Sequence, residues 1–231
     1  MNSKLTYWVD GNSCCNARWE DAYNRFETED EEIQKFQNRL LSFGAVRWSR
    51  RAKVVDLFCG SGRNLLCLER MGFLDLHGVD LSPRLLDCCT AKANLYVGDA
   101  TSLGFPDNWA DIVIVQGGLH HLPNLSSDLG KCFDEIHRIL KHDGLFVMVE
   151  PWSTPFLNFV HWCCRQKTLC NLSTKLVALA TMVEEEKETY FNWLSSQAKI
   201  LHELNARFLM KSLQTRMGKV NFLGSPSNKL R

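Results

Sequence analysis

A chain of 231 residues with 27 Lys and Arg against 26 Asp and Glu has a formal net charge of +1, which argues against DNA as a partner and against any large nucleic-acid footprint. Its 45% hydrophobic and 23% charged content is that of an ordinary globular protein, with enough length for a sizeable core in one domain. Ten cysteines are present, but three pairs are adjacent (Cys14-Cys15, Cys88-Cys89 and Cys163-Cys164), a spacing that suits neither zinc ligation nor a redox motif. No metal site is expected from such spacing. With no apolar leader after Met1 and no apolar run near the ~20 residues of a membrane span, the cysteines read as reduced, small apolar residues of a cytoplasmic protein.

Residues 1–16 carry no pattern and read as a flexible N-terminus, leaving 17–231 as a single domain. Helical spacing begins at Ala17: Trp19, Tyr23 and Phe26 form one stripe, Ile33, Phe36, Leu40 and Leu41 another. Thr28 and Glu31 have the spacing of a capping box, so 17–46 should hold two helices that cap whatever follows. Val54, Val55, Leu57 and Phe58 then form a near-continuous apolar run, the mark of a strand buried on both faces. It breaks at Gly60-Ser61-Gly62, and helical spacing resumes at Arg63.

Strand and helix signals alternate from there. Leu76–Asp80 reads as a strand ending in an acid, and Ser82-Pro83 as an N-cap followed by proline in the first turn. Leu95–Val97 leads into Gly98-Asp99-Ala100. Asp111–Val115 is the clearest strand and ends at Gln116-Gly117-Gly118. Leu125, Leu129, Cys132, Phe133, Ile136 and Leu140 define a helix, which Lys141–Gly144 should stop before the strand Leu145–Glu150. This alternation predicts an α/β fold with a mainly parallel sheet and helices on both faces. Residues 151–207 read as helices without strands, an insertion placed to lid the site, and the run Glu184–Glu188 as a solvated helix face. Residues 208–224 read as a terminal hairpin turning at Arg216–Gly218.

The strand, glycine corner and helix at 53–68 make a nucleotide-type site, because the first amides of the helix lack intrahelical partners and the glycines let a ligand approach them. A dinucleotide fingerprint would need a third glycine where Leu65 stands, which disfavours a nicotinamide oxidoreductase. Asp80 fits ribose recognition under either cofactor. Asp99, after the third strand, is placed to accept from an adenine amine while the Ala100 amide meets a ring nitrogen.

These motifs resemble, in order and spacing, those of class I S-adenosylmethionine-dependent methyltransferases. Val54–Gly62 is similar to their first motif, Gly78–Ser82 to the ribose motif and Gly98–Ala100 to the adenine motif. Asp111–Leu122 is similar to the fourth-strand motif of the small-molecule branch, and Leu140–Leu145 to its following turn. Phe58 departs from the glycine commonest at its place. The resemblance implies a Rossmann-like seven-stranded sheet with an antiparallel last strand and S-adenosyl-L-methionine as cofactor. It places Asp56, Phe58, Gly60, Ser61, Gly62, Asp80, Leu81, Asp99, Ala100, Gln116 and Gly117 at that cofactor, with Asp56 near the methionine amino group. It also implies a small-molecule acceptor with an O, N or C nucleophile, and the aromatic content of the lid segment hints at an apolar or aromatic one.

His121 and Glu150 are the candidate catalytic residues. Histidine can act as a base near neutral pH, but one of His120 and His121 can equally pack under the sheet edge. Glu150 reads either as facing the acceptor pocket or as a satisfied strand-end carboxylate. Rival readings are an RNA or protein methyltransferase and a non-catalytic methyltransferase-like subunit. Against the first, Gln116–Leu119 stands where amino-directed nucleic-acid enzymes carry an Asn-Pro-Pro-Tyr-type tetrapeptide.

Overall fold

In the computed structural model, described over residues 5–11 and 17–228, eight strands form one sheet. They are β1 (Thr6–Tyr7), β2 (Lys53–Leu57), β3 (Asp75–Asp80), β4 (Asn94–Val97), β5 (Ala110–Gln116), β6 (Leu140–Pro151), β7 (Phe208–Arg216) and β8 (Lys219–Pro226). The spatial order is β1-β4-β3-β2-β5-β6-β8-β7. All pairs from β1 to β6 are parallel, and β8 runs antiparallel to both its neighbours. The reversal at β5 puts a switch point beside β2, where ligands of open parallel sheets bind.

Both faces of the sheet are covered, so its strands feed two cores by alternation. Val54, Ile112, Ile114 and Val147 point to one core, and Val55, Val113, Val115 and Met148 to the other. The first core is closed by α2 (Glu29–Ser42) and α3 (Arg63–Arg70), the second by α5 (Leu125–Ile139) and helices of the lid. This explains the continuous apolar runs in the sequence. Local signals act as expected. Thr28 and Glu31 close a capping box on α2, and Ser82 caps the short α4 (Pro83–Leu86) by accepting from the Leu85 amide. The turn Met217-Gly218, with positive φ at both residues, joins β7 to β8.

Between β6 and β7 the lid comprises α6 (Pro155–Arg165), α7 (Lys167–Cys170), α8 (Thr174–Glu185), α9 (Lys187–Ser195) and α10 (Gln197–Arg207). Trp193 is fully buried and its indole donates to the Pro151 carbonyl at 2.7 Å, anchoring α9 at the end of β6. The first cap helix, α1 (Ala17–Phe26), lies against α8, so cap and lid meet over the sheet edge.

Three expectations need amendment. The sheet has an eighth strand, β1, drawn from the segment read as a flexible N-terminus. Trp8 fixes it by stacking on Tyr96 at 4.6 Å and meeting Phe105 edge-on at 4.7 Å. Residues 1–4 and 12–16 of that segment, with Cys14 and Cys15, lie outside the described residues. Lys141–Gly144 is not a separate turn, because β6 begins at Leu140 and takes these residues through a register shift opposite Ala110–Ile112. The terminal hairpin reaches Pro226 rather than 224. The eight described cysteines are free thiols, and no described helix is long and apolar enough to cross a membrane.

The corner after β2 carries positive φ at Phe58 (57°), Gly60 (52°) and Gly62 (77°). For a phenylalanine that conformation costs ~1–3 kcal/mol and persists only where its surroundings hold it. Gly118 does the holding: a Cβ there would sit 2.3 Å from Phe58 Cγ, so the ring lies directly on its backbone. Gly118→Ala is therefore expected to cost about 1–3 kcal/mol in urea unfolding, and distinctly less in a Phe58→Ala background. Equal costs in the two backgrounds would show that the ring is not what the glycine accommodates.

Candidate active site

The carboxyl ends of β2 to β6 open on one cavity of about 1080 Å³, roofed by α1, α6 and α8. Phe58, Gly60, Ser61, Gly62, Asp80, Leu81, Asp99, Ala100, Gln116, Gly117 and His121 all line it. Residues from four separate stretches of sequence thus meet at one surface, as the motif order implies. Asp56 and Glu150 do not line it and lie behind its wall.

Asp80 joins the two central corners. One carboxylate oxygen accepts from the Gly60 amide at 2.8 Å and the other from the Ser82 amide at 2.9 Å. Burial raises its pKa above the ordinary carboxylate range, opposed by the amides of Ser82, Gly60 and Leu81. Asp99 is tied by Thr101, whose amide and hydroxyl both donate to Oδ1 at 2.8 Å. The missing third glycine also has an explanation. A Cβ at Gly78 in β3 would come within 2.6 Å of Leu65 Cδ1, so the bulk on α3 is accommodated by a glycine on the neighbouring strand.

Behind Gln116 runs a chain of donors aimed one way. Arg39 donates to Gln116 Oε1 at 2.8 Å, Gln116 Nε2 to Asn64 Oδ1 at 3.1 Å, and Asn64 Nδ2 to Asp56 Oδ1 at 3.3 Å. Asp56 is fully buried and its Oδ2 has no partner among the described residues. Burial pushes its pKa up to about 8, opposed by the Asn64 hydrogen bond, with Asp80 and Glu32 adding to the rise.

The far end of the cavity is built by cap and lid. Trp19 stacks on Tyr23 at 5.1 Å, α8 contributes Leu176, Leu179, Met182 and Val183, and α6 contributes Phe156, Leu157 and Val160. His121 meets Trp19 edge-on at 6.0 Å, and its Nδ1 lies 3.1 Å from Glu186 Oε1. Burial holds His121 well below the usual imidazole pKa. Burial also raises Glu186 to about 7, against the pull of His120.

Glu150 does not face the acceptor space. It is fully buried, with Oε1 accepting from the Gly118 and Leu119 amides at 2.8 Å each and Oε2 bonded to His120 Nδ1 at 2.7 Å. With both oxygens engaged it positions the loop after β5 and does not reach an acceptor. Three polar residues escaped sequence reading. Arg39 sits on the last turn of a cap helix. Lys219 comes from the hairpin, its pKa lowered by burial and then by Arg39. Glu186 lies in the charge run read as a solvated face; the residues on either side of that run do not mark it out.

A family model described as a methyltransferase domain matches residues 55–148. A demethylmenaquinone methyltransferase of Leptospira interrogans is 28% identical over 170 residues, covering 61% of this chain and 67% of the relative. A ubiquinone/menaquinone biosynthesis C-methyltransferase of Geotalea uraniireducens is 28% identical over 144 residues, 53% of this chain and 59% of that one. Among solved structures, the PH0226 protein of Pyrococcus horikoshii superposes with a TM-score of 0.67 at 19% identity, over 92% of this chain and all of that one. An S-adenosylmethionine-dependent methyltransferase of Methanosarcina mazei gives 0.53 at 18% identity, over 80% and 96%. With the motif residues gathered at one cavity on this fold, residues 55–148 form a methyltransferase domain of the class I S-adenosylmethionine-dependent type.

Proposed function

We propose that the enzyme methylates a small acceptor of apolar or aromatic character, held between the glycine corner and the lid. The observation that carries this reading is the continuity of the cavity. One end is lined by backbone amides and carboxylates, the other by the Trp19–Tyr23 stack and the apolar side chains of α6 and α8. The relatives named as demethylmenaquinone and ubiquinone/menaquinone methyltransferases support an acceptor of hydroquinone type.

The residues fit S-adenosylmethionine on features of this structure. Among the described residues, Asp56 Oδ2 is a buried acceptor without a donor, and a Cβ at Gly60 would meet no atom within 4 Å. Asp80 would hold the ribose hydroxyls with the lone pairs its two amide partners leave free, and Asp99 with the Ala100 amide would meet the adenine edge. Asp56, buried behind Asn64 and Gln116, would act on the methionine ammonium through that wall as a countercharge. The bound cofactor supplies an activated methyl group on a sulfonium. Beyond that, the protein contributes alignment and exclusion of water: cap and lid close over the cavity, and the aromatic stack sets the acceptor's plane. An RNA or protein acceptor is less well supported, since the chain is nearly neutral and its site is a roofed cavity rather than a basic groove.

Calorimetric titration with S-adenosylhomocysteine should give micromolar binding, weakened about 10–100-fold in Asp80→Ala by loss of charge-assisted hydrogen bonds. Binding of NADH with no response to S-adenosylhomocysteine would overturn the cofactor assignment. A proton should also leave on binding. Asp56, with its pKa near 8, is mostly protonated at pH 7 in the free protein, and an arriving ammonium favours the carboxylate. Binding enthalpies at pH 7 should therefore differ between phosphate and Tris by the buffers' ionisation heats, and the difference should vanish in Asp56→Asn. With a methyl-labelled donor, the label should pass to phenolic or hydroquinone acceptors in the organic extract. Label recovered in RNA instead would contradict the acceptor class.

A further inference from the structure

Three side chains of metal-ligating type converge where the loop after β5 meets the junction of α8 and α9. The Glu150 carboxylate bonded to His120 Nδ1 at 2.7 Å takes that nitrogen as its donor, which leaves Nε2 as the ring atom turned to the cavity side. Nε2 faces Glu186 Oε2 at 3.7 Å, too far for a hydrogen bond. The other oxygen of Glu186 lies 3.1 Å from His121 Nδ1. One donor atom from each of His120, His121 and Glu186 falls within 4.8 Å of the others, and all three residues line the cavity. Donor atoms bound at ~2.0–2.1 Å to a tetrahedral ion stand about 3.3 Å apart; the two histidines approach different oxygens of Glu186, at 3.7 and 3.1 Å, so a small adjustment of these side chains would bring one atom of each onto a common ion.

We propose that His120, His121 and Glu186 bind a divalent transition-metal ion, zinc being the best fit, with its remaining coordination positions open to the cavity. Two imidazoles and one carboxylate are a recurrent set for ions that keep a site free for substrate. The surroundings are those of a built site: a carboxylate orients His120 from behind, the carbonyl of Gly117 meets the His121 ring, and both histidines sit on a loop pinned by Glu150. Resting on the methyltransferase reading, the open positions would hold an oxygen of the acceptor, so that a hydroxyl there would lose its proton to solvent more readily. Ligand spacing along the chain does not announce such a site, because Glu186 comes from the lid.

Chelator-treated full-length protein, titrated with zinc chloride, should bind one equivalent with micromolar or tighter affinity. Glu186→Gln should weaken this at least about 10-fold, as loss of a ligand does more than loss of its support, while circular dichroism and S-adenosylhomocysteine affinity stay unchanged. The cobalt-loaded wild-type protein should show ligand-field bands without thiolate-to-metal charge transfer, a readout that needs no variant. Absence of saturable zinc binding, equal binding by Glu186→Gln, or a thiolate charge-transfer band assigning the ion to cysteine would each overturn the proposal. S-adenosylhomocysteine titration of the same metal-free sample tests the methyltransferase reading separately, since no ligand of the proposed ion belongs to the cofactor end.

Discussion

The buried carboxylate of Asp80 is the contact on which the site depends. It accepts an amide from the corner after β2 and another from the corner after β3, so two loops that leave adjacent parallel strands are held at one separation. Burying this charge is costly, and the amides of Gly60, Leu81 and Ser82 offset the cost in part. What remains is a carboxylate 8% exposed at the cavity floor, still able to accept from hydroxyl donors. The positive φ at residues 58, 60 and 62 follows from the same constraint, because the chain must turn sharply to bring the Gly60 amide back onto β3.

A second buried carboxylate does for the far end of the cavity what Asp80 does at the glycine corner. Glu150 draws two amides and a histidine from the loop after β5 onto the end of β6. Trp193 then ties the lid to the next residue of that strand through the Pro151 carbonyl. The lid thereby hangs from the strand that positions His120 and His121, and Glu186 arrives opposite them. Between the two ends, the donors from Arg39 through Gln116 and Asn64 all point towards Asp56. The cap helix α2 is thus wired into the floor of the site by polar contacts as well as covering one face of the sheet.

The sheet and the glycine corner could be read from the chain because their signals are local. A strand buried on both faces must be apolar throughout, as at Val54–Leu57, and a corner that approaches a ligand needs residues such as Gly60 and Gly62. Where tertiary partners decide, the sequence was silent or misleading. Thr6–Tyr7 is too short to announce itself and becomes a strand because Trp8 packs on Tyr96. Glu150 has the same local pattern whether it faces solvent, acceptor or loop amides. Within Glu184–Glu188, Glu184 and Glu188 stay exposed while Glu186 turns to the histidines. No periodicity within that run separates the inward residue from the outward ones.

The most direct test of the account is a crystal structure of the protein with S-adenosylhomocysteine. The ribose should lie on Asp80, the adenine beside Asp99 and Ala100, and the homocysteine amino group towards Asp56, with the sulfur facing the Trp19–His121 side of the cavity. A nucleoside bound elsewhere, or an Asp80 carboxylate that touches only its two amides, would contradict it.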